Sequence, residues 1–364
     1  MSHIPDWKPE QLPIYDINRS YDENFKDGPF FHGDIPPRKI KPAQEFTDFL
    51  GFKVNSKIGV PSGPLLNSRW LDLAAKLGFD ILTYKTIRSR AHACHPLPNM
   101  IYVESEDTLK ESDLNKNLLQ RNTPPTNLSE LSVTNSFGMP SKDNDFLMAD
   151  IEKANQSLGE GQVMVVSTVG TAGNENFADD FARSAALTKE AGAKIIEANF
   201  SCPNVTTGEG SVFTNPDTVA EIITKVIKEI KDIPFIIKVG YFKDPILMEK
   251  IFITAAKAGV RAISGINTIG MPVLNKDGAP ALGPDRPTSG ICGNPIRTAA
   301  IDFIKKAKEI NNKHKLGLTI IGVGGITLPE HFDEFFEAGA DVAMSATGMM
   351  WDPYLALRYH NLKT

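Results

Sequence analysis

The chain has 364 residues, 41% of them hydrophobic and 23% charged. That is the profile of a globular protein large enough for two domains or one large α/β barrel. A net charge of −5 argues against nucleic acid or an anionic membrane as partner. No apolar run approaches the roughly 18 residues needed to span a bilayer, and Met1 to Trp7 lack the basic-then-apolar pattern of a secretory signal. Three cysteines (Cys94, Cys202, Cys292) are too few for a disulfide framework or a four-cysteine iron–sulfur cluster. A cytoplasmic protein is expected.

Residues 1–55 are polar and proline-rich, with Pro36, Pro37 and Pro42, and read as an extension packed on the remainder of the chain. From Lys57 onward, short apolar runs alternate with amphipathic stretches. Strands are expected at Ile58–Ser62, Ile81–Lys85, Val163–Val169, Lys194–Asn199, Phe235–Val239, Ala262–Asn267, Leu318–Val323 and Val342–Ser345. Between most of them lie helical patterns: Ser68–Leu77, Ala178–Glu190, Pro216–Lys231, Pro245–Ala258, Pro295–Ile310 and Pro329–Glu337. Several begin at a proline or end at a glycine, such as Gly78, Gly192, Gly259 and Gly339. Eight such alternations predict a closed parallel (β/α)8 TIM barrel over residues 56–364, with an open doubly wound sheet as the alternative. About 75 residues separate the second and third strands, where half that length suffices. An insertion at about 93–131 over the C-terminal face accounts for the excess.

Polar residues cluster where these strands end, the catalytic face of such a barrel. Ser62-Gly63 follow the first strand and Lys85-Thr86 end the second. Asn199 ends the fourth, with Cys202 and Asn204 just beyond. A thiol with a lowered pKa serves as base or nucleophile, and paired carboxamides grip a flat, amide-rich ring. The residues from Thr206 to Ser211 suit a lid. Lys85 and Lys238 each sit inside an apolar run, which favours contact with an anion or cofactor at the shared mouth. Asn135 and Ser136 precede a turn at Gly138-Met139 whose amides can hold a carboxylate. Glycine-rich turns at Gly324-Gly325 and at Ala346-Thr347-Gly348, with Ser289–Gly293 nearby, offer backbone N–H groups to a phosphate. His92, Cys94 and His95 fit no usual zinc spacing and read as a loop cluster without metal.

These residues resemble a known family, the FMN-dependent dihydroorotate dehydrogenases, and within it the soluble class 1 enzymes with a cysteine base. The likeness runs from about Lys57 to Leu357 and is most specific at Asn-x-Ser-Cys-Pro-Asn-Val, residues 199–205. It implies Cys202 as the catalytic base. It implies a substrate site at Lys85, Asn135, Ser136, Gly138, Met139, Asn199, Asn204, Asn267 and Thr268. For FMN it implies Ser62, Gly63, Lys85, Thr86, Asn199, Lys238, Val239, Thr268, Gly290, Gly293, Gly324, Gly325, Ala346 and Thr347. The implied reaction is oxidation of dihydroorotate to orotate in pyrimidine biosynthesis. The implied electron acceptor is fumarate, or NAD through an iron–sulfur flavoprotein subunit, and the implied assembly a homodimer or a heterotetramer.

The sequence departs from the family at Val205 to Gly210, at Phe137 and in the long insertion. The first of these, with Asn267-Thr268, leans toward the neighbouring dihydropyrimidine dehydrogenases and keeps a dihydrouracil-type substrate as the alternative. A Schiff-base aldolase using Lys85 or Lys238 leaves Cys202 and the asparagines unexplained. An inosinate-type dehydrogenase, with a covalent cysteine and no FMN, and a non-catalytic flavin binder are the remaining readings.

Overall fold

The computed structural model describes residues 4–105, 107–173, 176–201 and 212–363. At its centre eight strands close into a ring: β1 (Ile58–Val60), β2 (Ile81–Ile87), β3 (Val163–Thr168), β4 (Ile195–Asn199), β5 (Phe235–Lys238), β6 (Ala262–Gly265), β7 (Thr319–Val323) and β8 (Val342–Met344). Each pairs in parallel with the next, and β8 with β1. All eight fall on the apolar runs expected from sequence, and the architecture is a (β/α)8 TIM barrel.

Helices α1 (Ser68–Lys76), α2 (Asn144–Gln156), α3 (Phe177–Glu190), α4 (Pro216–Ile230), α5 (Pro245–Lys257), α6 (Arg297–His314), α7 (His331–Glu337) and α8 (Leu355–Leu362) follow the strands in turn. Their starts are set locally. Asn215 and Asp244 cap α4 and α5 by accepting from backbone N–H groups of the first turn, and a proline follows each cap. Helix α2 has only three buried residues, Leu147, Ile151 and Ala154, so its apolar stripe is too thin to read by periodicity.

Alternation along the strands divides the core in two. Ile81, Val163, Val165, Ile195, Ile236, Ile321 and Val342 pack inside the ring. Their neighbours Leu82, Met164, Val166, Ile196, Ile237, Ile320 and Ala343 pack outward against the helices. A hairpin, Thr47–Phe49 with Phe52–Val54, adds Phe49 and Val54 to the inner cluster and so plugs the N-terminal end. Asp80, fully buried beneath it, accepts from Arg38 Nη1 and Ser56 Oγ, both at 2.5 Å, and from Asn55 Nδ2 at 3.1 Å.

Two inserts build the roof at the opposite end. From between β2 and α2 come Met100–Tyr102 and Ser132–Asn135; from between β6 and α6 come Ile269–Met271 and Ser289–Gly293. They form one four-stranded sheet, with Ser289–Gly293 antiparallel to Ser132–Asn135. Residues 289–293, expected to be a turn offering free N–H groups, are thus a ladder strand whose polar backbone faces its neighbours. Among the described residues no helix is long and apolar enough to cross a membrane.

Candidate active site

Between barrel and roof lies a cavity of about 1150 Å³, its open mouth included. The strand alternation that buries Ile81, Ile195 and Ile236 deeper down carries Lys85, Asn199 and Lys238 inward one or two pleats later. All three line the cavity. Lys238 Nζ donates to Ser62 O and Oγ, each at 3.2 Å, and Ser62 Oγ donates to the buried Glu197 at 2.9 Å. The floor is therefore a polar chain running from β5 through the loop after β1 to β4.

Asn199 and Asn267 fix the residue that precedes Cys202. Asn199 Oδ1 accepts from the Ser201 N–H at 3.1 Å, and Asn267 Nδ2 donates to Ser201 O. Cys202 and Asn204 themselves lie outside the described residues, as does the segment expected to be a lid.

The turn after Asn135 places Gly138 at φ 74° and Met139 at φ 53°, a left-handed pair that glycine tolerates and methionine adopts only under constraint. The constraint is Arg88. Fully buried, it donates to Met139 O at 3.1 Å, Gly138 O at 3.4 Å and Thr171 Oγ1 at 2.8 Å. Asn135, Gly138 and Met139 line the cavity. Ser136 does not: it is fully buried, with Oγ 3.1 Å from His95 Nδ1.

On the far side Gly63, Thr86, Thr268, Gly293, Gly324, Gly325, Ala346 and Thr347 line the wall. Gly324 and Gly325 have φ of 119° and 90°, and a Cβ on Gly325 would run into the Arg297 backbone. Val239 packs in the outer cluster instead. Gly290 sits in the roof strand, where a Cβ would strike Thr268. Neither lines the cavity: Val239 is one residue out of phase with the inward Lys238, and Gly290 has Thr268 packed against it.

The loop after Gly325 is pinned by His331, whose Nδ1 accepts from the N–H groups of Thr327 at 3.2 Å and Leu328 at 3.4 Å. Burial, then the charge of Arg297, pushes this imidazole down to about 4 from its ordinary 6.5. A histidine held neutral in the folded state favours folding above 6.5. As pH falls toward 4 the unfolded chain takes up the proton first and that stability is lost. We expect urea unfolding of His331→Asn, which keeps an acceptor, to lose up to about 3 kcal/mol of the decline between about pH 7 and about pH 4.5. A pH profile unchanged by the substitution would remove His331 as its source.

The two described cysteines are not poised to react. Burial pushes the thiols of Cys94 and Cys292 up to about 11. Cys292, which lines the cavity, accepts from Asn135 Nδ2 at 3.4 Å and donates to Val133 O at 3.5 Å. Among the described residues no group of three or more His, Cys, Asp or Glu is placed to hold a metal.

Sequence reasoning missed the cavity's remaining wall. Tyr15 and Tyr21, from the N-terminal segment, line it together with Phe137, Met100 and Met350. The segment is stitched down by Ile14 N–H to Met350 O and Phe30 N–H to Ile14 O, both 2.9 Å. A local signal existed: Ser20-x-x-Glu23 is a capping box that starts helix Tyr21–Asp27.

Residues 119–359 match the family model described as dihydroorotate dehydrogenase. A dihydroorotate dehydrogenase of Dictyostelium discoideum is 49% identical over 362 residues, spanning 97% of this chain and 98% of its own. The chain belongs to the dihydroorotate dehydrogenase family. Relatives within the family include catalytic subunits of dihydroorotate dehydrogenase B (NAD(+)). That of Anoxybacillus flavithermus is 29% identical over 64% of this chain and 70% of its own. That of Bacillus thuringiensis is 33% identical over 46% and 52%. These two NAD(+)-type subunits match only part of the chain, whereas the Dictyostelium dihydroorotate dehydrogenase spans nearly all of it.

Proposed function

We propose that this chain is an FMN-dependent oxidoreductase that converts dihydroorotate to orotate, a CH–CH oxidation in pyrimidine biosynthesis. The observation that carries the reading is the near-full-length likeness to a dihydroorotate dehydrogenase, joined to a cavity whose residues suit both molecules. A dihydropyrimidine dehydrogenase is not favoured, since the family model and the relatives alike are dihydroorotate dehydrogenases.

The cavity fits FMN on its own chemistry. Thr268 Oγ1 and the Tyr15 hydroxyl are buried without a hydrogen-bond partner, and such atoms are costly unless a ligand satisfies them. Ser62, Gly63, Lys85, Thr86, Asn199, Lys238 and Thr268 would hold the ring. Gly293, Gly324, Gly325, Ala346 and Thr347 would take the phosphate, because bare backbone allows close approach. Gly290 and Val239 support that wall from behind. When bound, FMN supplies the acceptor for the hydride leaving C6.

The chain's own part is proton chemistry and positioning. Cys202, as thiolate, removes the C5 proton. Lys85 meets the substrate carboxylate beside the turn Asn135–Met139, which Ser136 anchors through His95. Asn199, Asn204, Asn267 and Thr268 bind the ring's amide edges. Lys238 sets a fixed positive charge beside the flavin. Residues 1–55 act as an extension completing the wall of a barrel over 56–364, with 93–131 as an insertion. For the partner we infer a homodimer in the cytoplasm passing electrons to a small oxidant such as fumarate. The near-full-length likeness is to a protein named dihydroorotate dehydrogenase. Likeness to NAD(+)-type catalytic subunits favours the second reading, NAD through an iron–sulfur flavoprotein.

An anaerobic absorbance scan tests the assignment. The purified protein is expected to show flavin bands that bleach on adding dihydroorotate and return with fumarate. Bands that persist with dihydroorotate but bleach with dihydrouracil would transfer it to the neighbouring family, and no flavin after supplying FMN would end it.

A further inference from the structure

The N-terminal segment brings an aromatic ring to a lysine that the barrel alone presents. Lys85 Nζ lies 5.6 Å from the ring centroid of Tyr21 and 5.6 Å from that of Phe137, inside the range where a cation is attracted to a ring face. The two rings meet edge to face at 6.3 Å, and Tyr15 packs against Phe137 at 5.7 Å. Lys85 and Tyr21 are both buried, at 9% and 5% exposure, so the attraction is not diluted by water.

Tyr21 is held firmly. Its helix is tied down by Lys142 to Asp22 at 2.6 Å, and by Asn67 and Arg69 donating to Phe25 O at 2.8 and 2.7 Å. Phe25, one turn on, stacks between Tyr21 and Phe146. These contacts anchor the helix that carries the Tyr21 ring.

We propose that Tyr21 is a positioning residue for substrate binding: with Phe137 it forms a two-ring cage that holds the Lys85 ammonium toward the carboxylate of dihydroorotate or orotate. The inference rests on the functional reading above and extends it to a residue outside the barrel. A ring face attracts a cation but bears no net charge, so it steadies Lys85 without cancelling its pull on an anion. A carboxylate in the same place would compete with the substrate.

The test is orotate binding to FMN-loaded protein, read from the change in flavin absorbance, with orotate methyl ester as the uncharged comparison. Tyr21→Leu is expected to weaken orotate about fivefold, to leave the ester within about twofold, and to be rescued by Tyr21→Phe, which keeps the ring. Unchanged orotate affinity in Tyr21→Leu would overturn the cage. So would equal weakening of orotate and ester, the mark of a wall that has collapsed. Should Tyr21→Leu fail to fold, 3,4,5-trifluorophenylalanine at position 21 keeps the shape while weakening the negative ring face. Selective loss of orotate then supports the cage, and no change overturns it. If the unaltered protein holds FMN but ignores orotate, the functional reading falls first and the cage with it.

Discussion

Cys202→Ala is expected to keep its FMN and to lose flavin reduction by dihydroorotate by a factor of about 10²–10⁴, the usual worth of a positioned general base. The structure narrows the choice of base. Of three cysteines, Cys94 and Cys292 have thiols raised to about 11 by burial. Both are therefore protonated at neutral pH. Asn199 accepts from the Ser201 N–H and Asn267 donates to the Ser201 carbonyl, which fixes the chain at the residue before Cys202. Anaerobic stopped-flow reduction is the measurement. In the unaltered protein the rate should climb with pH as the thiol ionises, and Cys202→Ser should shift that limb upward. Near-normal reduction by the alanine variant would sink the assignment.

Lys238→Met should slow the same reaction by about 10²-fold, in line with removal of one preorganised charge. Lys238 has a fixed address: its ammonium bonds Ser62 twice, and Ser62 in turn bonds Glu197. An arginine would not restore the rate, because a planar fork cannot take the place of a compact ammonium in that geometry. The companion measurement is the flavin's reduction potential, expected to fall when the charge that stabilises the reduced form is gone. A variant with full FMN, unaltered potential and unaltered rate would show that Lys238 serves packing alone.

The barrel was legible because parallel strands buried on both faces read as apolar runs, each closed off by glycine or proline. Lys85, Lys238 and Asn199 stood out for the same reason, as polar residues interrupting such runs. What escaped depends on contacts distant in sequence. Ser289–Gly293 looks like a loop until Ser132–Asn135 is placed beside it. Tyr15 and Tyr21 belong to a polar, proline-rich stretch, and nothing local says that they reach Phe137. Ser136 and Val239 were assigned by neighbourhood in a motif, whereas a one-residue change of phase turns a side chain away from the cavity. Helix α2 went unread for want of an apolar stripe, although its Asp143 cap is an ordinary start signal.

The roof sheet has a consequence for anyone who would re-engineer this scaffold. Its two middle strands come from different inserts, and their register sets Asn135 opposite Gly290 and Ser132 opposite Gly293. The turn after Asn135 and part of the opposite cavity wall are therefore woven into one fabric. A chimera that imports only the loop after β2 would arrive with an open strand edge and nothing to pair it. The two inserts are a matched pair, to be transplanted or varied together.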